Sequence, residues 1–165
     1  MVELSRSVLL PPEIDELTRV CETNPQYWRY SGDLDPDDLS VAGIHAMLRD
    51  EARADGCELL TARAADGRTV GLAQVLLRHP RDGFPWIGLL LVDGRAHRSG
   101  HGRAIAGALE ERFRAAGETG VRLGVLQDNV EAERFWTALG YRRIDMRPDA
   151  AKGRPTLVMH KDLSG

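Results

Sequence analysis

From Trp86 to Val92 the chain reads WIGLLLV, apolar without alternation. A strand covered on both faces carries such a run, because neither side meets water. On either side the pattern changes period. Val2 to Leu9 predicts a short first strand. After Pro11-Pro12, Ile14, Leu17 and Val20 recur at helical spacing, which predicts a helix through about Cys21. Residues 24–38, NPQYWRYSGDLDPDD, read as a loop from their Pro, Gly and Asp content. A second helix to about Ala54 buries Val41, Ile44, Met47 and Leu48, with Asp37 or Asp38 as its cap. Leu59 to Arg63 and Val70 to Leu77 read as strands joined at Ala65-Asp66-Gly67, a hairpin signal. Beyond the central run come a helix from His101 to about Ala116 and a strand from Val121 to Leu126. A helical stripe of Ala132, Phe135, Trp136 and Leu139 follows, and Thr156 to His160 reads as the last strand.

Composition narrows this to one domain over residues 1–165, since 165 residues at 42% hydrophobic suffice for a single core. The N-terminus, MVELSRSVLL, lacks a secretory pattern, and no run approaches the ~18–20 apolar residues a membrane helix needs. A soluble, cytoplasmic chain is expected. Cys21 and Cys57 lack metal-like spacing, so reduced thiols and no metal are expected, with a disulfide left open. A net charge of −3 argues against general nucleic-acid binding. The charge is uneven: residues 1–60 hold 13 acidic and 5 basic side chains, and the remainder is basic. An acidic entrance for a cationic ligand and a basic seat for an anion would produce that split. Charges scattered over solvated helices would produce it too.

The chemistry concentrates where the apolar run ends, at VDGRAHRSGHG, residues 92–102. Gly100 and Gly102 let the backbone bend and approach a ligand closely. The free amides of the helix that follows would point at an anion, and Arg98 and Arg103 flank the turn. Gly-x-Gly alone also suits a tight strand-to-helix connection. A second motif lies downstream: Asn129 is followed by Ala132, Trp136 and then Gly140-Tyr141, at three, seven and eleven to twelve residues. Together, from about Ile87 to Ile144, these residues resemble the GNAT superfamily of N-acetyltransferases. That family's acetyl-CoA turn reads Gln/Arg-x-x-Gly-x-Gly/Ala, and its later motif reads Asn-x-x-Ala-x-x-x-Tyr-x-x-x-Gly-Phe.

The resemblance implies an α/β fold in the order β-α-α-β-β-β-α-β-α-β-β. This is a central mixed twisted sheet of about seven strands flanked by about four helices. It also implies an acetyl-CoA-dependent transferase that moves acetyl to a primary amine by direct attack in a ternary complex. The alternative is a catalytically silent acyl-CoA-binding sensor or scaffold. The main chain of Leu90, Leu91 and Val92 would hold the cofactor arm, with the Leu91 amide polarising the thioester carbonyl. Arg98, Ser99, Gly100, His101, Gly102 and Arg103 would hold the pyrophosphate. Asn129 would contact the arm, although asparagine is equally suited to cap a helix. His97 stands where the family has Gln or Arg, which leaves its role open.

Two positions depart from the family. Gly124 falls beside the gap between the splayed fourth and fifth strands, where some relatives project a catalytic Glu. Trp136 replaces a Tyr proposed to protonate the departing thiolate; an indole does not do that work, and its place on the apolar stripe suits packing or a pocket wall. Candidate bases are His79, after the third strand, and Asp35 or Asp33 in the YSGDLDP loop. Tyr27, Trp28 and Tyr30 cluster in that loop and would either wall an acceptor pocket, Tyr27 and Tyr30 together with Trp136, or pin the loop to the core. The acceptor would be a small-molecule or peptide amine; a homodimer is allowed without being specified.

Overall fold

A computed structural model describes residues 1–149 and 152–164. Seven strands form one sheet: β1 (Val2–Arg6), β2 (Cys57–Ala64), β3 (Thr69–Leu76), β4 (Trp86–Val92), β5 (Gly120–Leu126), β6 (Arg142–Pro148) and β7 (Pro155–Asp162), in the spatial order β1-β2-β3-β4-β5-β7-β6. Only β4 and β5 run parallel; every other pair is antiparallel. Three helices, α1 (Glu13–Glu22), α2 (Pro25–Ser31) and α3 (Val41–Arg53), pack with Leu59, Leu72, Leu89 and Leu91 on one face. On the other, α4 (His101–Ala115) and α5 (Val130–Ala138) pack with Leu60, Ala73, Ile87 and Leu123. The apolar run thus lies between two helical layers, as its lack of alternation requires.

Several boundaries differ from the pattern. β1 stops at Arg6, because the amides of Val8 and Leu9 turn aside to the buried Glu13 carboxylate, at 2.7 and 3.0 Å. The cap of α3 is Ser40, whose side chain accepts from the Gly43 amide at 3.0 Å, and neither Asp37 nor Asp38. The largest departure is α2, which occupies the expected loop. Pro25 sits in its first turn, and Gly32 closes it in the left-handed region (φ 74°). Pro inside the start and Gly past the end are helix signals as much as loop signals. Trp28 anchors this short helix, fully buried with its indole donating to the Cys21 carbonyl at 2.9 Å. Cys21 and Cys57 are free thiols. No helix among the described residues is long and apolar enough to cross a membrane, and no His, Cys, Asp or Glu group among them is arranged to hold a metal.

Candidate active site

The sheet opens in the middle. β4 pairs with β5 only at Trp86↔Arg122 and Ile87↔Leu123, although both strands continue for several residues. The cause lies in β4 itself. Its register against β3 slips between Gln74↔Leu89 and Val75↔Ile87, so Gly88 is an extra, bulged residue. A bulge bends and twists its strand. Here it also reverses the side-chain faces, since Ile87 joins the core under α4 and α5 while Leu89 joins the core under α1 and α3. Beyond Gly88 the strands part, and a cavity of about 560 Å³ fills the gap. Leu123, Gly124, Val125 and Leu126 form its β5 wall, and Gly88 to Val92 its β4 wall.

Which β4 amides face the gap follows from the ladder. The Asp93 amide bonds the Val70 carbonyl of β3 at 2.8 Å. Antiparallel ladders alternate, so Asp93, Leu91 and Leu89 turn their main chain to β3, and Leu90 and Val92 turn theirs to the free edge. Leu91 lines the cavity, but its amide lies in the ladder. The main chain that faces the gap is that of Leu90 and Val92, and the main-chain donor expected at Leu91 faces β3. The Val92 carbonyl agrees with this parity, accepting from Asn24 Nδ2 at 2.8 Å and His97 Nε2 at 3.0 Å on the cavity side. His97 thus folds the turn back onto the strand end, with its proton on Nε2 because a carbonyl only accepts.

The turn after β4 begins with a short 3-10 segment, Gly94–Ala96. The buried Asp93 carboxylate accepts from the Arg95 amide at 3.0 Å and from its guanidinium at 2.6 Å. Those bonds to Arg95 hold its carboxyl below the usual carboxylate range. The Thr23 hydroxyl accepts from the Gly94 amide at 2.8 Å and braces the turn from α1. Arg98 and Gly100 are both left-handed, at φ 66° and 84°. For Arg98 that conformation is strained, and such strain concentrates where a site needs a particular backbone path.

α4 then starts with no side-chain cap. Its first bond runs from the Ala104 amide to the Gly100 carbonyl, which leaves the amides of His101, Gly102 and Arg103 without acceptors in the described protein. These amides carry the positive end of the helix dipole. Arg98 and Arg103 are exposed and make no ion pair among the described residues. Two unneutralised guanidinium groups and three free amides concentrate positive charge at this end of the cavity, the character an anion seat needs. Gly102 has a steric job rather than a conformational one: a Cβ there would lie 3.2 Å from the Phe135 ring of α5.

The cavity gathers most of the residues expected from sequence. Arg98, Gly100, His101, Gly102 and Arg103 lie at its α4 end with His97. Asn129 lines it too while capping α5, its Oδ1 accepting from the Ala132 amide at 3.2 Å. Trp136 is 8% exposed, edge-on to Phe135 and Tyr141 with ring centroids at 4.9 and 5.0 Å, and walls the cavity from α5. Tyr27, Tyr30 and Ser31 wall it from α2. Burial pushes the Tyr27 phenol up, and the Asp33 and Glu51 carboxylates add to the shift.

Four expected residues are not brought in, the first being Asp33, which is exposed and does not line the cavity. Ser99 is exposed, and its hydroxyl donates to the Ala96 carbonyl within the turn. Asp35 is exposed on the loop after α2, accepting from the Asp37 amide at 2.9 Å. His79 stacks on Trp86 (centroids 4.5 Å apart) beside Asp82, at the opposite end of β4. This imidazole is not among the side chains that line the cavity. Pattern reasoning missed Asn24, which is buried and bonds both the Val20 and Val92 carbonyls at 2.8 Å. Its signal was the Asn-Pro step that opens α2.

Comparison with known proteins agrees with this geometry. The model of the acetyltransferase (GNAT) family matches residues 17–141. An acetyltransferase from Thermus thermophilus superposes with a TM-score of 0.73 at 20% identity, covering 98% of this chain and 97% of that one. Spermidine N-acetyltransferase from Vibrio cholerae, solved with CoA and spermine, gives 0.72 at 10% identity over 98% and 95% of the two chains. The ribosomal-protein-S18-alanine N-acetyltransferase of Escherichia coli gives 0.62 at 14% over 100% and 96%. At these identities the structures speak for the fold alone. A search of curated proteins finds no match.

Proposed function

The chain belongs to the GNAT family of acetyltransferases, and from that premise we propose that it transfers acetyl from acetyl-CoA to a primary amine. The observation that carries this reading is the free edge of β4 running into the uncapped start of α4. The three free amides with Arg98 and Arg103 would hold the pyrophosphate. The unladdered main chain of Leu90 and the Val92 amide would pair with the amide groups of the pantetheine arm, as a missing strand would. One of those two amides would also donate to the thioester oxygen as it gains charge.

The amine would enter from the α2 side, between Tyr27 and Tyr30. Its lone pair attacks the thioester carbon, the C–S bond breaks, and the amine gives up one proton to water. Among the cavity-lining residues no carboxylate is present to act as base, Tyr27 stays protonated at neutral pH, and the imidazoles of His97 and His101 belong to the turn and the start of α4 that would hold the pyrophosphate. The neutral fraction of the amine would therefore do the work. The leaving thiol has a pKa of roughly 8.5, so thiolate departs without an acid, and Trp136 need not supply one.

A silent acyl-CoA-binding module is the second reading, favoured by the same lack of a carboxylate at the cavity. CoA release from acetyl-CoA, measured against a panel that includes spermidine, simple alkylamines and a peptide with a free N-terminus, separates the two. Turnover of any of them supports the transferase. Tight acetyl-CoA binding with no release on the whole panel supports the silent module.

A further inference from the structure

Bonded elements close a ring around the acceptor end of the gap. β4 joins β5 at Trp86 and Ile87, and β5 is laddered along β7 up to Leu126↔Thr156. On the opposite side, Asn24 ties the start of α2 to the end of β4. The last link, from α2 to β7, is made by side chains. Arg154, just before β7, donates from Nη1 to the Tyr30 carbonyl at 2.9 Å and the Ser31 carbonyl at 2.8 Å, while its Nε bonds Asp149 Oδ2 at 2.8 Å. Lys152 Nζ donates to the Gly32 carbonyl at 3.1 Å. These carbonyls end α2, where no intrahelical partner exists and the dipole favours a cation. Without these bonds, α2 is a seven-residue helix anchored by Asn24 at its start and by Trp28 at its middle. Helices that short are marginal unless tertiary contacts hold them.

We propose that Arg154, seconded by Lys152, is a positioning residue for the acceptor. It fixes the last turn of α2 against the β5–β7 side, and so sets where Tyr27 and Tyr30 stand in the cavity wall. The inference rests on reading the α2 end of the cavity as the acceptor end. A guanidinium suits the task because its fork reaches two carbonyls and a carboxylate at once, which one ammonium does not.

The test uses the full chain carrying Arg154→Ala, Arg154→Lys or Lys152→Ala. CoA affinity is measured by calorimetry and amide exchange by hydrogen–deuterium exchange of the CoA-bound protein. Steady-state kinetics use whichever amine of the panel the wild type acetylates. For Arg154→Ala, exchange in the last turn of α2 should quicken and amine KM rise, each about tenfold, while kcat and CoA affinity stay within about threefold. Arg154→Lys should fall short of rescue, and Lys152→Ala should show the same split at about twofold. Unchanged α2 exchange in Arg154→Ala, or equal weakening of CoA and amine, would overturn the proposal. If Arg154→Ala does not fold, the Lys152→Ala split decides in its place. If the wild type acetylates no amine, the transferase reading fails separately, and α2 exchange alone decides the tether.

Discussion

The two ends of β4 are built from the same kind of residue and are put to opposite uses. At Trp86 and Ile87 the strand is bonded on both edges. Its surroundings there are closed: the Trp86 indole donates to Asp82 at 3.2 Å, and Asp82 also takes Arg122 at 3.2 Å. Six residues along, at Val92, β3 is the one strand that pairs with it, and the other edge faces a cavity with Arg98 and Arg103, which make no ion pair among the described residues, at its rim. Nothing in the apolar character of WIGLLLV separates the halves; the bulge at Gly88 does. A bonded edge makes core, and an open edge makes a site.

Breaking the open end should cost most. Replacing Gly102 with Val puts a branched side chain into the 3.2 Å gap to Phe135, and acetyl-CoA affinity should fall about 100-fold or more, with ~1–3 kcal/mol of strain in the fold. Calorimetry and a melting curve on one preparation check both. The double change Arg98→Ala with Arg103→Ala should weaken acetyl-CoA by about 10–100-fold, and the loss should shrink at high salt because both groups are exposed. An equal loss at all salt concentrations would mean the two cations do not face the ligand's charge.

Smaller effects sharpen the contrast. Trp136→Tyr should cost ~1–3 kcal/mol of stability, because the ring packs edge-on between Phe135 and Tyr141. It should bring no gain in kcat, and a several-fold gain with unchanged melting would show that an acid is missed at this position. With no carboxylate base at the cavity, kcat/KM for an alkylamine should climb about tenfold per pH unit from neutrality toward the amine's own pKa near ~10.4. A plateau near neutral pH would reveal a base on the protein. The closed end should respond least. His79→Ala removes a ring stacked on Trp86, so stability should drop by ~0.5–1.5 kcal/mol, with kcat/KM inside about twofold.

The site was legible where local chemistry decides it. The strand from Trp86 to Val92, the start of α4 at His101 and the cap at Asn129 each follow from a few neighbouring residues, and the structure has all three. What escaped depends on partners distant in sequence. Pro25 and Gly32 punctuate a helix or a loop equally well, and only the burial of Trp28 and the cations of Arg154 and Lys152, 124 and 120 residues from the carbonyls of Tyr30 and Gly32, select the helix. The parity that turns Leu91 toward β3 is set by the Asp93–Val70 bond, which no single-strand pattern contains. His79 looked usable because it follows β3, but the turn carries it to the closed end of β4.

The open-edge account is tested most directly by amide exchange, residue by residue, with and without saturating CoA. It predicts new protection at Leu90, Val92, His101, Gly102 and Arg103, and no change at Ile87 or Leu91, whose main chain is already committed within the sheet. CoA binding that leaves the Leu90, Val92 and α4 amides unprotected, or protects both ends of β4 alike, would contradict it.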